Sequence, residues 1–143
     1  MALILVKRML AQTMAGASER LTHIAPVLRV ADISRSIAFY RDQLGFTVKF
    51  VYESFYAGMC RDGCHIHLKC STPAARDQAV FEREEQIDVY IGVQSADTLS
   101  ERFALAGVAF VVPLRHMPYG TEFYVRDPDG YVLAFAESTP NSN

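Results

Sequence analysis

Glu122-Phe123-Tyr124-Val125-Arg126-Asp127-Pro128-Asp129-Gly130-Tyr131-Val132-Leu133-Ala134-Phe135-Ala136-Glu137 reads as strand, tight turn, strand. Proline presets φ, aspartate bonds its own backbone, and glycine takes the positive-φ position, so Pro-Asp-Gly is turn chemistry. The flanks are aromatic and β-branched, which makes the stretch a hairpin. A shorter version lies upstream in Phe55-Tyr56-Ala57-Gly58-Met59-Cys60-Arg61-Asp62-Gly63-Cys64-His65-Ile66-His67-Leu68. Each copy has an aromatic pair, then Arg-Asp, then a glycine turn, then an apolar strand. One hairpin written twice points to one module duplicated.

Working outward from the two hairpins gives the same order of elements twice. A first strand covers Ile24 to Val30, with Pro26 near its start. Asp32 is placed to cap a helix whose Ile33, Ile37, Tyr40 and Leu44 form one apolar stripe, and Gly45 closes it. Strands then follow at Phe46–Tyr52, Phe55–Arg61 and Cys64–Cys70. In the second half a strand at Ile87–Gln94 leads to a helix striped by Ala96, Leu99, Phe103 and Ala106 and closed by Gly107. A strand at Val108–Val112 follows, then a loop holding Pro113, His116, Pro118 and Gly120, then the closing hairpin. Val30 maps to Val93 at 63 residues, Gly45 to Gly107 at 62, and Gly63 to Gly130 at 67. Such nearly constant offsets are a repeat signal. The expected class is α+β, with two tandem βαβββ modules that form a curved mixed sheet around a cleft. The expected bounds are a helical extension at 1–21, a single domain at 22–138 and a tail at 139–143 that frays. Within the domain, module 1 covers 22–70, a solvated linker 71–86 and module 2 87–138.

At 143 residues and a net charge of −2 the chain carries no electrostatic footprint for nucleic acid. Cys60, Cys64 and Cys70 are an odd count without CxxC spacing. That argues against a disulfide framework, predicts small buried thiols and favours a reducing, cytoplasmic setting. No apolar run reaches the roughly 18 residues that span a bilayer. Met1 to Ala17 is apolar with Lys7 and Arg8 in its middle, an order that suits a secretory signal poorly. It is expected to be a helix packed on the domain or on a partner subunit. No nucleophile elbow, phosphate-binding glycine loop or His-Glu-x-x-His is present.

Pro26-Val27-Leu28-Arg29-Val30-Ala31-Asp32, Ser36 through Phe46, Gly120-Thr121-Glu122-Phe123-Tyr124 and Arg126-Asp127-Pro128-Asp129-Gly130 together resemble the vicinal oxygen chelate superfamily. That superfamily includes glyoxalase I, extradiol dioxygenases and bleomycin resistance proteins. The resemblance covers about residues 23 to 138 and is nearest to the bleomycin resistance branch. It implies a homodimer, often with an exchanged N-terminal strand, and pockets at the subunit interface. It also implies four inward metal-ligand positions, which fall here on Ala25, His67, Asp88 and Ala134. Two alanines have no donor atom, and a catalytic divalent site normally has at least three protein ligands. The expectation is therefore no metal cofactor. The alternative is a divalent ion on a shifted set that includes His67 and Asp88, completed by His65, His23 or His116.

Strand parity turns Ala25, Val27 and Arg29 inward, with His65, His67 and Lys69, Asp88, Tyr90 and Gly92, and Val132, Ala134 and Ala136. Phe55, Tyr119 and Tyr124 stand near the rim as stacking groups. The candidate ligand-binding residues are Arg29, Phe55, His65, His67, Asp88, Tyr90, Tyr119 and Tyr124. Phe39, Phe46, Phe50, Phe103 and Phe110 are assigned to the core. Three functions fit: a metal-independent small-molecule binding protein of the antibiotic-sequestering kind; a metal-dependent lyase, transferase or dioxygenase with an atypical ligand set; and a non-catalytic interaction protein. No membrane partner is expected.

Overall fold

The computed structural model describes residues 1–73 and 75–140, and for residues 10–17 the backbone alone. Part of the expected frayed tail, 141–143, lies outside the described residues. Two βαβββ units follow one another as expected. The first runs β1 (Val27–Val30), α2 (Ile33–Ala38), β2 (Thr47–Tyr52), β3 (Tyr56–Arg61) and β4 (Cys64–Cys70), after an N-terminal helix α1 (Ala2–Ser18). The second runs β5 (Val89–Gly92), α4 (Ala96–Leu105), β6 (Ala109–Met117), β7 (Gly120–Arg126) and β8 (Val132–Ser138). Each unit closes its own four-stranded mixed sheet, in the orders β1-β4-β3-β2 and β5-β8-β7-β6. Both sheets pair their first and last strands in parallel, the arrangement a crossover helix requires.

One face of each sheet packs on a shared core. Leu28, Val30, Ala57, Met59, Ile66 and Leu68 enter it from the first sheet, and Phe123, Val125, Leu133 and Phe135 from the second. Phe39, Tyr40, Leu44 and Phe103 supply the helical side. Phe103, Phe123 and Phe135 meet edge-on or stacked at centroid distances of 5.2–5.8 Å. Of the five phenylalanines assigned to the core, Phe50 departs, at 44% exposure.

The unequal repeat offsets have a structural cause. Asp32 and Ser95 cap α2 and α4 in the same way, each accepting the amide hydrogen of the residue three further on. Past that point the first helix carries one more residue. It absorbs the insertion by widening into a π-helical turn at Phe39–Gln43, a usual place for single-residue insertions. The hairpin turns also differ. Asp62-Gly63 is a two-residue turn with both residues at positive φ, whereas Pro128-Asp129-Gly130 is longer by one. Core pairs Met59/Ile66 and Val125/Leu133 therefore align Arg61 with Asp127, not with Arg126. The shared Arg-Asp lettering misaligned the turns by one residue.

The longer turn locks the modules together. Asp127 is buried and accepts from Tyr40 Oη at 2.8 Å and from the amides of Asp129 and Tyr131, both at 2.9 Å. Asp129 accepts from the Ala31 amide at 3.0 Å, Arg35 Nη2 at 3.1 Å and Ser36 Oγ at 3.3 Å. Tyr131 Oη donates to the Arg29 carbonyl at 2.7 Å.

Several sequence expectations need correction. The linker is not simply a solvated connector, because it contains α3 (Gln78–Arg83), capped by Asp77, whose side chain accepts from the Val80 amide. The segment read as a loop around Pro113 and His116 continues β6 to Met117. Proline is tolerated there because β6 is an edge strand and its register shifts between Val112 and Arg115. The first strand starts at Val27, leaving Ala25 and Pro26 before it. None of the three thiols is buried: Cys64 follows the Gly63 turn and is exposed, and Cys60 and Cys70 are half-buried. The described apolar side chains of α1, Leu3, Ile4, Leu5, Val6 and Met9, are exposed, so that part of the helix does not pack on the domain. Among the described residues no helix is long and apolar enough to cross a membrane.

Candidate functional site

The sheet faces turned away from the core carry the candidate residues, and the structure divides them into two groups. The first sheet holds Arg29, His65 and His67, with Phe55 in the adjoining β2–β3 turn. Register places Val27 beside His67 and Arg29 beside Lys69. Across β3, Tyr56 is paired with Lys69, Gly58 with His67 and Cys60 with His65. His67 Nδ1 and Tyr56 Oη share a hydrogen bond of 2.9 Å, and the Phe50 ring meets the His67 ring edge-on at 5.5 Å. The His23 and His65 rings lie 4.2 Å apart, and His23 is 6.3 Å from His67. Burial, and then the neighbouring His23 and His65, lower the His67 pKa and favour its neutral form. This face is thus aromatic, with imidazoles and the side chains of Arg29 and Lys69 as its polar groups.

Phe50 and Tyr56 stack nearly parallel at 6.2 Å, and Gly58 lies beneath the Phe50 ring. A β-carbon at residue 58 would collide with that ring. Gly58→Ala is therefore expected to displace Phe50 and cost about 1–3 kcal/mol, as overpacking does. Urea denaturation measures the loss, and retained stability would show that the ring swings away freely.

The second sheet holds Asp88, Tyr90, Tyr119 and Tyr124. Register sets Tyr90, Ala134 and Tyr124 in one row across β5, β8 and β7. The adjacent row is Gly92, Ala136 and Glu122. Ala134 and Ala136 are buried here, unlike the inward residues of the first sheet, while Tyr90 is 60% and Tyr119 51% exposed. A small cavity of about 150 Å³ lies against Tyr90, Tyr119, Thr121 and Ala136.

Glu122 and Arg115 were missed in the sequence. Glu122 is 3% exposed. Its Oε2 accepts from Arg115 Nε at 3.2 Å and Nη2 at 2.8 Å, and the same guanidinium grips both Glu85 oxygens at 2.8–2.9 Å. Burial pushes the Glu122 pKa up, but hydrogen bonds from Tyr119, Arg115 and Tyr124 together outweigh it and hold it below the usual value. In return, burial and Glu122 push the Tyr124 hydroxyl up to about 12. Two-residue parity with Tyr124 was the available signal for Glu122; Arg115 was hidden because its segment was read as a loop.

The four positions that the resemblance implied for a metal do not make a divalent centre. Ala25 and Ala134 offer no donor. Asp88 is held by Arg76 through two 2.9 Å contacts and also accepts the Val132 amide at 2.8 Å. Arg76 is itself fixed over the Phe81 ring at 4.1 Å. His67 belongs to the other sheet and its Nδ1 is engaged by Tyr56. His116 sits at the edge of the second sheet, with Nδ1 2.9 Å from Thr121 Oγ1. Among the described residues no three His, Cys, Asp or Glu side chains are arranged to hold a metal ion.

Comparison with known proteins agrees with this architecture. Residues 20–135 match the family model of the Glyoxalase/Bleomycin resistance protein/Dioxygenase superfamily. A bleomycin resistance protein from Geobacillus stearothermophilus is 32% identical over 126 residues, covering 77% of this chain and 92% of that protein. The bleomycin-binding protein of Streptomyces verticillus, solved with copper(II)-bleomycin, superposes with a TM-score of 0.62 at 27% identity, covering 84% of this chain and 98% of that one. A glyoxalase/bleomycin resistance protein/dioxygenase from Alicyclobacillus acidocaldarius shares the fold, with a TM-score of 0.70 at 16% identity over 83% of this chain and 92% of that one. With the repeated βαβββ unit, the family match over most of its length and a relative above 30% identity, the chain belongs to the Glyoxalase/Bleomycin resistance protein/Dioxygenase superfamily.

Proposed function

We propose that the protein binds a small molecule without a metal, as an antibiotic-sequestering member of its superfamily. The Tyr90–Ala134–Tyr124 row carries the reading. Ala134 is itself buried and has no donor atom for an ion, so the accessible part of the row is its edge, where Tyr90 and Tyr119 stand exposed beside the small cavity at Ala136 and offer ring faces to a planar group. Glu122, fixed by Arg115 next to Tyr124, adds a buried negative charge. The bleomycin resistance and bleomycin-binding relatives support a ligand of that general kind.

Each sheet carries exposed apolar side chains, although Ala134, Ala136 and Glu122 in the middle of the second sheet are buried. Val27, Phe50, Tyr52 and Phe55 are 41–59% exposed on the first, and Ile87, Tyr90 and Tyr119 are 38–60% exposed on the second. A homodimer that sets the first sheet of one copy against the second sheet of its partner covers both and closes the pocket.

Calorimetric titration with metal-free bleomycin, copper(II)-bleomycin and a panel of planar aromatic antibiotics tests the proposal, alongside light scattering and metal analysis. A member of the panel is expected to bind, with Tyr124→Ala weakening it at least tenfold and a dimer in solution. A monomer, no binding across the panel, or a stoichiometric metal lost in His67→Ala would overturn it.

A further inference from the structure

The internal repeat allows a comparison inside one molecule. Where the second hairpin meets α2, the joint is filled: Asp129 is 2% exposed at its side chain and caps the Ala31 amide, and Asp127 receives Tyr40 Oη. Where the first hairpin meets α4, the same joint holds no such contacts among the described residues. Asp62 occupies the place of Asp129 but is 89% exposed at its side chain. Arg61 occupies the place of Asp127, and Phe103, without a hydroxyl, occupies that of Tyr40.

A cleft of about 630 Å³ opens at this unfilled joint. Its apolar floor includes Phe46, Ile91 and Phe135, and its polar wall includes Arg61, Thr98 and Arg102. Arg61 spends one nitrogen on the Leu44 carbonyl, at 2.6 Å, and its Nε is 3.6 Å from Asp62. Arg102 has no side-chain partner among the described residues. Thr98 Oγ1 accepts from Ser95 Oγ at 2.9 Å, which leaves its own proton to donate. The Gln94 amide, the counterpart of the Ala31 amide that Asp129 caps, has no partner among the described residues either.

We propose that this cleft is a second ligand site, separate from the tyrosine row, for a small carboxylate with an apolar body. The carboxylate takes the place that Asp129 fills in the other joint, held by Arg102, Thr98 and the Gln94 amide. The apolar body lies on Phe46, Ile91 and Phe135. Charge favours an anion because, among the described residues that line the cleft, Asp62 is the only acid, against two guanidinium groups, and the nearby Glu137 carboxylate is engaged by the Ala96 amide.

The test uses the full chain, 4-phenylbutanoate and the matched neutral 4-phenylbutanamide, followed by amide chemical shifts and calorimetry. The carboxylate is expected to bind at least tenfold more tightly than the amide, with the largest shifts at Cys64, Gln94 and Thr98. Arg102→Ala should weaken it tenfold or more, and Arg102→Lys should restore part of the loss. Asp62→Asn should tighten it by removing the competing charge. Tyr90→Ala should leave it unchanged, which separates this site from the sheet face. Absence of carboxylate binding, equal binding of the amide, indifference to Arg102→Ala, or loss in Tyr90→Ala would each overturn the proposal.

Discussion

Asp127→Ala is expected to destabilise the protein by roughly 4 kcal/mol, the cost of leaving several buried donors unpaired. The Tyr40 hydroxyl and the Asp129 and Tyr131 amides all converge on that carboxylate. Tyr40→Phe removes only one donor and should cost about 1–2 kcal/mol. The pH dependence has a defined sign. Burial raises the Asp127 pKa to about 6, and this outweighs the opposing hydrogen bonds from Tyr40, Tyr131 and Asp129. A carboxyl that holds its proton more tightly when folded adds stability at low pH. That contribution is full below the unfolded pKa, near 3.9, and is lost as pH rises through about 6, on the order of 3 kcal/mol in all. Asp127→Asn keeps an acceptor for the two amides and should flatten this part of the profile. Denaturant titrations at several pH values measure both effects, and a wild-type slope of the opposite sign between pH 4 and 6, retained in Asp127→Asn, would refute the assignment.

Arg115→Ala should cost about 3–5 kcal/mol, because it strands the buried Glu122 carboxylate. Side-chain exposures of 4% for Glu122 and 27% for Arg115 place this pair at the inner end of the range of solvent screening. In the wild type, Glu122 has a lowered pKa, so its contribution is present above the unfolded value and fades as pH falls. This slope opposes that of Asp127. Without Arg115, burial has less to overcome, and the Glu122 pKa rises. The double variant Arg115→Ala with Glu122→Gln should lose less than the sum of the two single changes, since the stranded charge is then gone. Additive losses, measured by denaturation at pH 7, would mean that the two residues act independently.

The fold was largely legible because its signals are local and written twice. Asp32 and the Gly45 and Gly107 helix stops sit where capping chemistry and positive φ require them, and all keep those roles. What failed depended on neighbours in space. Pro113 reads as a loop residue until the segment proves to be a sheet edge. Cys64 reads as a buried thiol until the preceding turn carries it outward. At the candidate site, parity set Tyr90 and Ala134 on one face, whereas Tyr124, read as a rim group, joins their row through the β7–β8 register, and Ala25 lacks a donor wherever it stands. Parity could not reveal that Asp88 is held by Arg76, because that partner comes from the linker, 12 residues away. Nor could a linear pattern divide the candidate residues between two sheets that share no strand pairing.

The locked joint also sets an order of events as the chain emerges from a ribosome. Its bonds run from Asp127, Asp129 and Tyr131 back to Arg29, Ala31, Arg35, Ser36 and Tyr40, across separations of 87 to 102 residues. The first module can pair its own strands early. Its helix end must wait, with Tyr40 unsatisfied, until Asp127, 87 residues further on, has been made. The second hairpin is thus the timing element of synthesis: the module translated later completes the one translated earlier.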